Sequence, residues 1–229
     1  MSTMEVTRRI KEAGIIAMLP GDLPLQSILP VGDALLAAPV QAVEVEDGDN
    51  ATTIIADLRR RAGNHMLVGA GHITTAPQLE MVIAAGAQFV TSPRFNETVM
   101  VHCRTREVLY VPSVISVLAA QAAYQAGCRL IRLRTGGPAG PDYVNAVRTA
   151  LPELSVVVAA DITTANVGHY IRAGAVAVVV GKALFAGPDQ PMTEVISNAR
   201  RLQKAWEMKS PGAWQNGDAS PGSSTPPAG

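Results

Sequence analysis

The chain has 229 residues, 48% of them hydrophobic and 17% charged, enough to bury one full α/β core. Its 19 basic and 19 acidic residues cancel, which excludes the electrostatic footprint of a protein built for nucleic acid or an anionic membrane surface. The charged stretch around Arg8, Arg9, Lys11 and Glu12 lacks the apolar centre of a signal peptide and no apolar run reaches the roughly 18 residues of a membrane helix, so a cytoplasmic protein with a small-molecule ligand is expected.

Eight short apolar runs follow one another: Ile15 to Leu19, Ala42 to Glu46, Met66 to His72, Phe89 to Ser92, Val108 to Val111, Leu130 to Leu133, Val156 to Asp161 and Val176 to Lys182. Continuous rather than alternating apolarity marks strands buried on both faces, as in a parallel sheet covered by helices. Helical spacing appears from Leu25 to Ala37, Thr52 to Leu58, Gln78 to Ala85, Val114 to Ala126, Pro141 to Ala150, Ala165 to Ala173 and Met192 to Met208. Pro30 predicts a starting turn or a kink in the first of these. The joints Ala85-Gly86, Ala126-Gly127 and Ala173-Gly174 read as helix ends feeding the next strand. The pattern predicts a single (β/α)8 TIM barrel over residues 1–209. From Ser210 to Gly229 the Gly, Ser, Pro and Ala composition predicts a disordered tail, with Trp214 its one large apolar residue. Cys103 and Cys128 have no CxxC or histidine spacing and are expected to be reduced packing residues.

Most of the runs stop at residues able to do chemistry, and a barrel gathers such residues at one mouth. Glu44 lies between Val43 and Val45, so its side chain should enter the barrel while its neighbours face helices. A buried carboxylate needs a partner or a function. Two readings stay open: a functional or pocket-structuring group, or a salt bridge to Arg132, which has the same inward parity. Glu46, Asp47 and Asp49, with Asp161, could ligate a divalent cation, or serve as a capping and dipole-complementing set for the helix near Thr52. A bound metal would polarise a 2-oxo acid without any lysine. His72 is a general base or a hydrogen-bonded spectator. His65 falls in a turn, while His102 and His169 fall in helices, with surface or packing roles. Lys182 would bind an anion, pair with Asp161 or supply an amine. The segment from Arg132 to Pro138 offers a guanidinium grip and free backbone amides to a carboxylate, or is a βα loop with one arginine outward. Val68-Gly69-Ala70-Gly71 lacks the third glycine and the partner acid of a dinucleotide site.

Four motifs together resemble a known family: Val43-Glu44-Val45, then Val68-Gly69-Ala70-Gly71, then Ala84-Ala85-Gly86-Ala87-Gln88-Phe89 leading into Ser92-Pro93, then Val111-Pro112. Their order and spacing resemble the 2-keto-3-deoxy-6-phosphogluconate and 4-hydroxy-2-oxoglutarate aldolases from about Ile10 to Leu202. The resemblance implies a TIM barrel, commonly trimeric, that cleaves a 2-keto-3-deoxy sugar acid to pyruvate and an aldehyde through a lysine Schiff base on the sixth strand. It matches that lysine to Arg132, whose guanidinium stays protonated and cannot form the imine. The family's proton-shuttling glutamate matches Glu44. Where the family has a threonine and a carboxylate-holding arginine, this chain reads Glu46-Asp47-Gly48; another threonine matches His72, and a glycine matches Arg94. The phosphate-cradling glycines match Ala160-Asp161, and a nearby serine matches Lys182. An aspartate there repels a phosphate, by about 1 kcal/mol even in water.

The expectation is an aldolase-like carbon–carbon lyase without cofactor or imine, acting on a small unphosphorylated 2-oxo acid. Glu44, His72 and Arg132 are its candidate catalytic residues; Arg94, Arg134, Asp161 and Lys182 are its candidate substrate contacts. The alternative is a catalytically inactive homologue that serves binding or assembly. A homotrimer is what the resemblance implies.

Overall fold

The computed structural model describes residues 1–38, 40–135 and 140–209, so the tail predicted from Ser210 and the 136–139 part of the loop after Arg134 lie outside the described residues. Strands β1 (Ile15–Leu19), β2 (Ala42–Val45), β3 (Leu67–Ala70), β4 (Phe89–Ser92), β5 (Leu109–Val114), β6 (Leu130–Arg134), β7 (Ser155–Ala159) and β8 (Ala177–Val180) pair in parallel in chain order. Ile15, Ile16 and Ala17 pair with Val178, Val179 and Val180, which closes the ring. The helices are α1 (Thr3–Ala13), α2 (Leu25–Ala37), α3 (Ala51–Ala62), α4 (Ala76–Ala84), α5 (Glu97–Thr105), α6 (Val117–Gln125), α7 (Gly140–Ala150), α8 (Val167–Arg172) and α9 (Met192–Lys209). This is the (β/α)8 barrel that the apolar runs predict.

Strand parity sorts the core into two layers. Outward residues such as Val43, Val45, Val68, Val90, Ile131, Leu133, Val156 and Val158 join apolar residues of the helices in the larger cluster. Inward residues Ile16, Ala42, Leu67, Phe89, Val111, Leu130, Val157, Ala177 and Val179 fill the barrel. Phe89 is the largest of them, and Gly69 on the neighbouring strand makes its room: a Cβ at Gly69 would stand 2.3 Å from the ring.

Two elements depart from expectation. Val114 ends β5 instead of opening a helix, because Ser116 Oγ accepts from the Ala119 N–H at 3.1 Å and so starts α6 at Val117. Helix α1 occupies the charged N-terminal stretch, where Ser2 Oγ accepts from the Glu5 N–H at 3.2 Å. Its buried Val6, Ile10 and Ala13 pack onto the inward strand residues and close the amino-terminal end of the barrel. Pro30 sits inside α2 without ending it, and the first turn there closes on the Pro24 carbonyl.

Candidate active site

With the lower end sealed by α1, polar groups in the barrel stand at the carboxyl ends of the strands. Glu44 on β2 is fully buried, and one carboxylate oxygen takes an ion pair from Arg132 Nη2 on β6, itself 8% exposed. The other oxygen accepts from Thr91 Oγ1 of β4 at 3.1 Å. Glycine shapes this seat as well: a Cβ at Gly71 would stand 2.4 Å from Glu44 Oε1. Of the two readings for Glu44, the salt bridge forms. Arg132 Nε is buried and has no partner, which leaves a charged donor unsatisfied at the floor of the mouth.

Above this floor opens a cavity of about 590 Å³. Arg132, Arg134, His72, Asp161 and Lys182 line it, so five of the seven expected site residues share one basin. Glu44 lies beneath the lining, bonded to Arg132 and Thr91. Arg94 is exposed and does not line the cavity; Ser92 Oγ donates to its carbonyl at 2.6 Å, while Pro93 faces the basin. The ion pair weighed for Asp161 and Lys182 does not form among the described residues, although both line the rim. His72 holds a left-handed backbone at φ 65°, and its imidazole is exposed at the mouth.

The acidic cluster after β2 makes contacts that neither reading of it named. Asp47 accepts from Gln78 Nε2 at 2.9 Å, and among the described residues no group of three or more His, Cys, Asp or Glu is placed to hold a metal ion. Nor does the cluster cap α3: the N-cap is Asn50, whose side chain makes no capping bond and donates to the Leu23 carbonyl at 3.0 Å. Glu46 instead lines the cavity. Burial pushes its carboxyl above the usual carboxylate range, Glu44 and Asp22 push the same way, and His72 and Arg132 oppose them. Sequence reasoning set Glu46 aside as a ligand or a cap, yet its even spacing from Glu44 put it on the inward face.

A second cavity, of about 660 Å³, opens at the opposite end between α1, α5 and the starts of β5 and β6. Size does not make it the active site, because it holds none of the strand-end polar groups, and Arg8 there is already paired with Glu5 and Glu12. Cys103 and Cys128, both free and buried, border it.

The family model for "Aldolase: KDPG and KHG aldolase" matches residues 6–193. The chain belongs to the KDPG and KHG aldolase family. Among curated relatives of this chain, the 2-dehydro-3-deoxy-6-phosphogalactonate aldolase of Escherichia coli (strain K12) is 24% identical over 197 residues, covering 84% of this chain and 94% of the relative. A native KDPGal structure superposes with a TM-score of 0.78 at 22% identity, over 85% of this chain and 95% of that one. A cube-shaped, highly porous protein cage designed by fusing symmetric oligomeric domains also superposes at 0.78, with 22% identity over 88% of this chain and 75% of that one. At such identity the structural likeness speaks for the fold. Within this aldolase-family basin β6 contributes two guanidinium groups, Arg132 and Arg134, and Lys182 is the one lysine among the lining residues.

Proposed function

We propose that this barrel acts on a small, unphosphorylated 2-oxo acid of the pyruvate type, as an aldolase-like carbon–carbon lyase that works without an imine. The observation that carries this reading is Arg132, fixed by Glu44 and lining the basin. A guanidinium is never a nucleophile at neutral pH, but its planar fork suits a carboxylate and the neighbouring 2-oxo oxygen. The negative charge that develops on that oxygen during carbon–carbon cleavage is stabilised by the same cation. Glu44 positions the fork, and His72 stands exposed at the mouth, beside the outer part of the basin. Arg134 and Lys182 offer further anion contacts, while Asp161 accepts from substrate hydroxyls and disfavours phosphate.

The test is a panel of 2-keto-3-deoxy acids, with and without a terminal phosphate, assayed for pyruvate release. The expected result is cleavage of an unphosphorylated member, at least tenfold faster than its phosphorylated counterpart; a preference for the phosphorylated acid would overturn the substrate assignment. Borohydride added with pyruvate is expected to leave no adduct on Lys182, and a trapped adduct there would overturn the imine-free chemistry.

A second reading is favoured by the absence of any amine on β6, which reads Leu130-Ile131-Arg132-Leu133-Arg134. In it the chain is an inactive aldolase homologue that uses the basin for binding or assembly. Thermal stabilisation by a 2-oxo acid, with no turnover of any panel member, would select it. Both readings carry the homotrimer that family membership supports, and light scattering giving a monomer would reject it.

A further inference from the structure

Glu44 is a poor mover of protons here: it is fully buried, does not line the basin, and spends one oxygen on Arg132 and the other on Thr91. Any proton taken from a bound 2-oxo acid needs an acceptor that faces the cavity. Glu46 lies two residues on, at the carboxyl end of β2, and shares Glu44's parity. It lines the same cavity as Arg132 and His72, is partly buried, and its carboxylate accepts no hydrogen bond among the described residues. Its backbone is nevertheless anchored, because the Glu46 N–H donates to the Leu19 carbonyl at 2.8 Å and continues the ladder to β1. A fixed backbone beneath an unengaged carboxylate is what proton transfer to a changing partner requires.

We infer that Glu46, not Glu44, is the catalytic acid–base group of this basin, exchanging a proton with the C3 carbon of a 2-oxo acid held by Arg132. The inference rests on the 2-oxo acid reading above. In the step, a C3–H bond of pyruvate breaks and the proton passes to a Glu46 carboxylate oxygen. The electron pair forms the C2–C3 double bond, and the C2 oxygen becomes an enolate against the Arg132 guanidinium. The return step delivers the proton, or a solvent deuteron, to C3, so no oxidant or further reactant is consumed.

The charges that face Glu46 act in two directions. Burial raises its carboxyl first, Glu44 on the same strand and Asp22 after β1 raise it further, and His72 after β3 and Arg132 on β6 lower it. A base raised in this way sits closer to neutral pH and accepts a proton more readily once ionised. The acid limb of the pH–rate profile should therefore lie above the ordinary carboxylate range.

The experiment follows deuterium entry into the methyl group of pyruvate by proton NMR in heavy water, for wild type, Glu46→Gln and Glu46→Asp, with pyruvate affinity measured alongside by calorimetry. Glu46→Gln is expected to lose at least about 100-fold in exchange rate with affinity within threefold of wild type, and Glu46→Asp to keep a measurable part of the rate. Exchange by Glu46→Gln at the wild-type rate overturns the inference and leaves the 2-oxo acid reading standing. A wild type that exchanges nothing overturns both. Should Glu46→Gln fail to fold, the profiles of wild type and Glu46→Asp decide together: a wild-type acid limb above the ordinary carboxylate range that shifts in Glu46→Asp counts for Glu46, and one within that range, or one that Glu46→Asp leaves unmoved, counts against it.

Discussion

At the scale of single residues, the Glu44–Arg132 pair governs the basin. Glu44 is fully buried and Arg132 only 8% exposed at the basin floor, so truncating one partner leaves the other's charge poorly compensated, a loss of up to about 3–5 kcal/mol. Glu44→Ala is therefore expected to lower the urea midpoint sharply, and the double variant Glu44→Leu with Arg132→Met should recover much of the loss while abolishing ligand affinity. The pair was legible in the sequence, because both residues interrupt apolar strands at inward positions. Arg94 was less legible: Ser92 Oγ and Tyr110 OH donate to its carbonyl and fix the backbone there through contacts across two strands, and its exposed side chain does not line the basin. The cysteines yield a pH prediction. Burial pushes Cys103 from 9.0 to about 12 and Cys128 to about 11, so above the ordinary thiol value the unfolded chain has released protons that the folded chain still binds. Their stabilising contribution is full below about pH 9 and falls as pH rises toward those folded values. Denaturation midpoints should decline across that alkaline window, and less steeply in Cys103→Ala.

At the scale of elements, the strands were readable because continuous burial imposes continuous apolarity, whereas α1 hid behind its charges. Only three of its buried positions carry the message, Val6, Ile10 and Ala13. Their partners are strand residues far along the chain, which no local pattern names. Ile10→Ala removes a fully buried side chain from the barrel floor, and about 2–5 kcal/mol of stability is expected to go with it. Gly69→Ala tests the opposite fault. Its new methyl group collides with the Phe89 ring rather than with a flexible side-chain tip, so a loss of about 1–3 kcal/mol is expected from overpacking. Chemical denaturation of both variants measures how tightly floor and barrel filling depend on each other. The β5–α6 boundary shows another limit of periodicity: Val114 fits either element, and the Ser116 cap decides.

At the scale of the whole molecule, α1 and the inward apolar layer turn the barrel into a cul-de-sac. Arg132 lies at its inner end and Asp161 and Lys182 at its doorway. Traffic in both directions uses that doorway. If the proposed cleavage takes place in this basin, the fragment held by Arg132 is the inner one and leaves after the outer, so release is ordered by depth. An excess of the outer fragment would then hold its partner in place and drive recondensation, a reversal that follows from architecture before any rate constant is known.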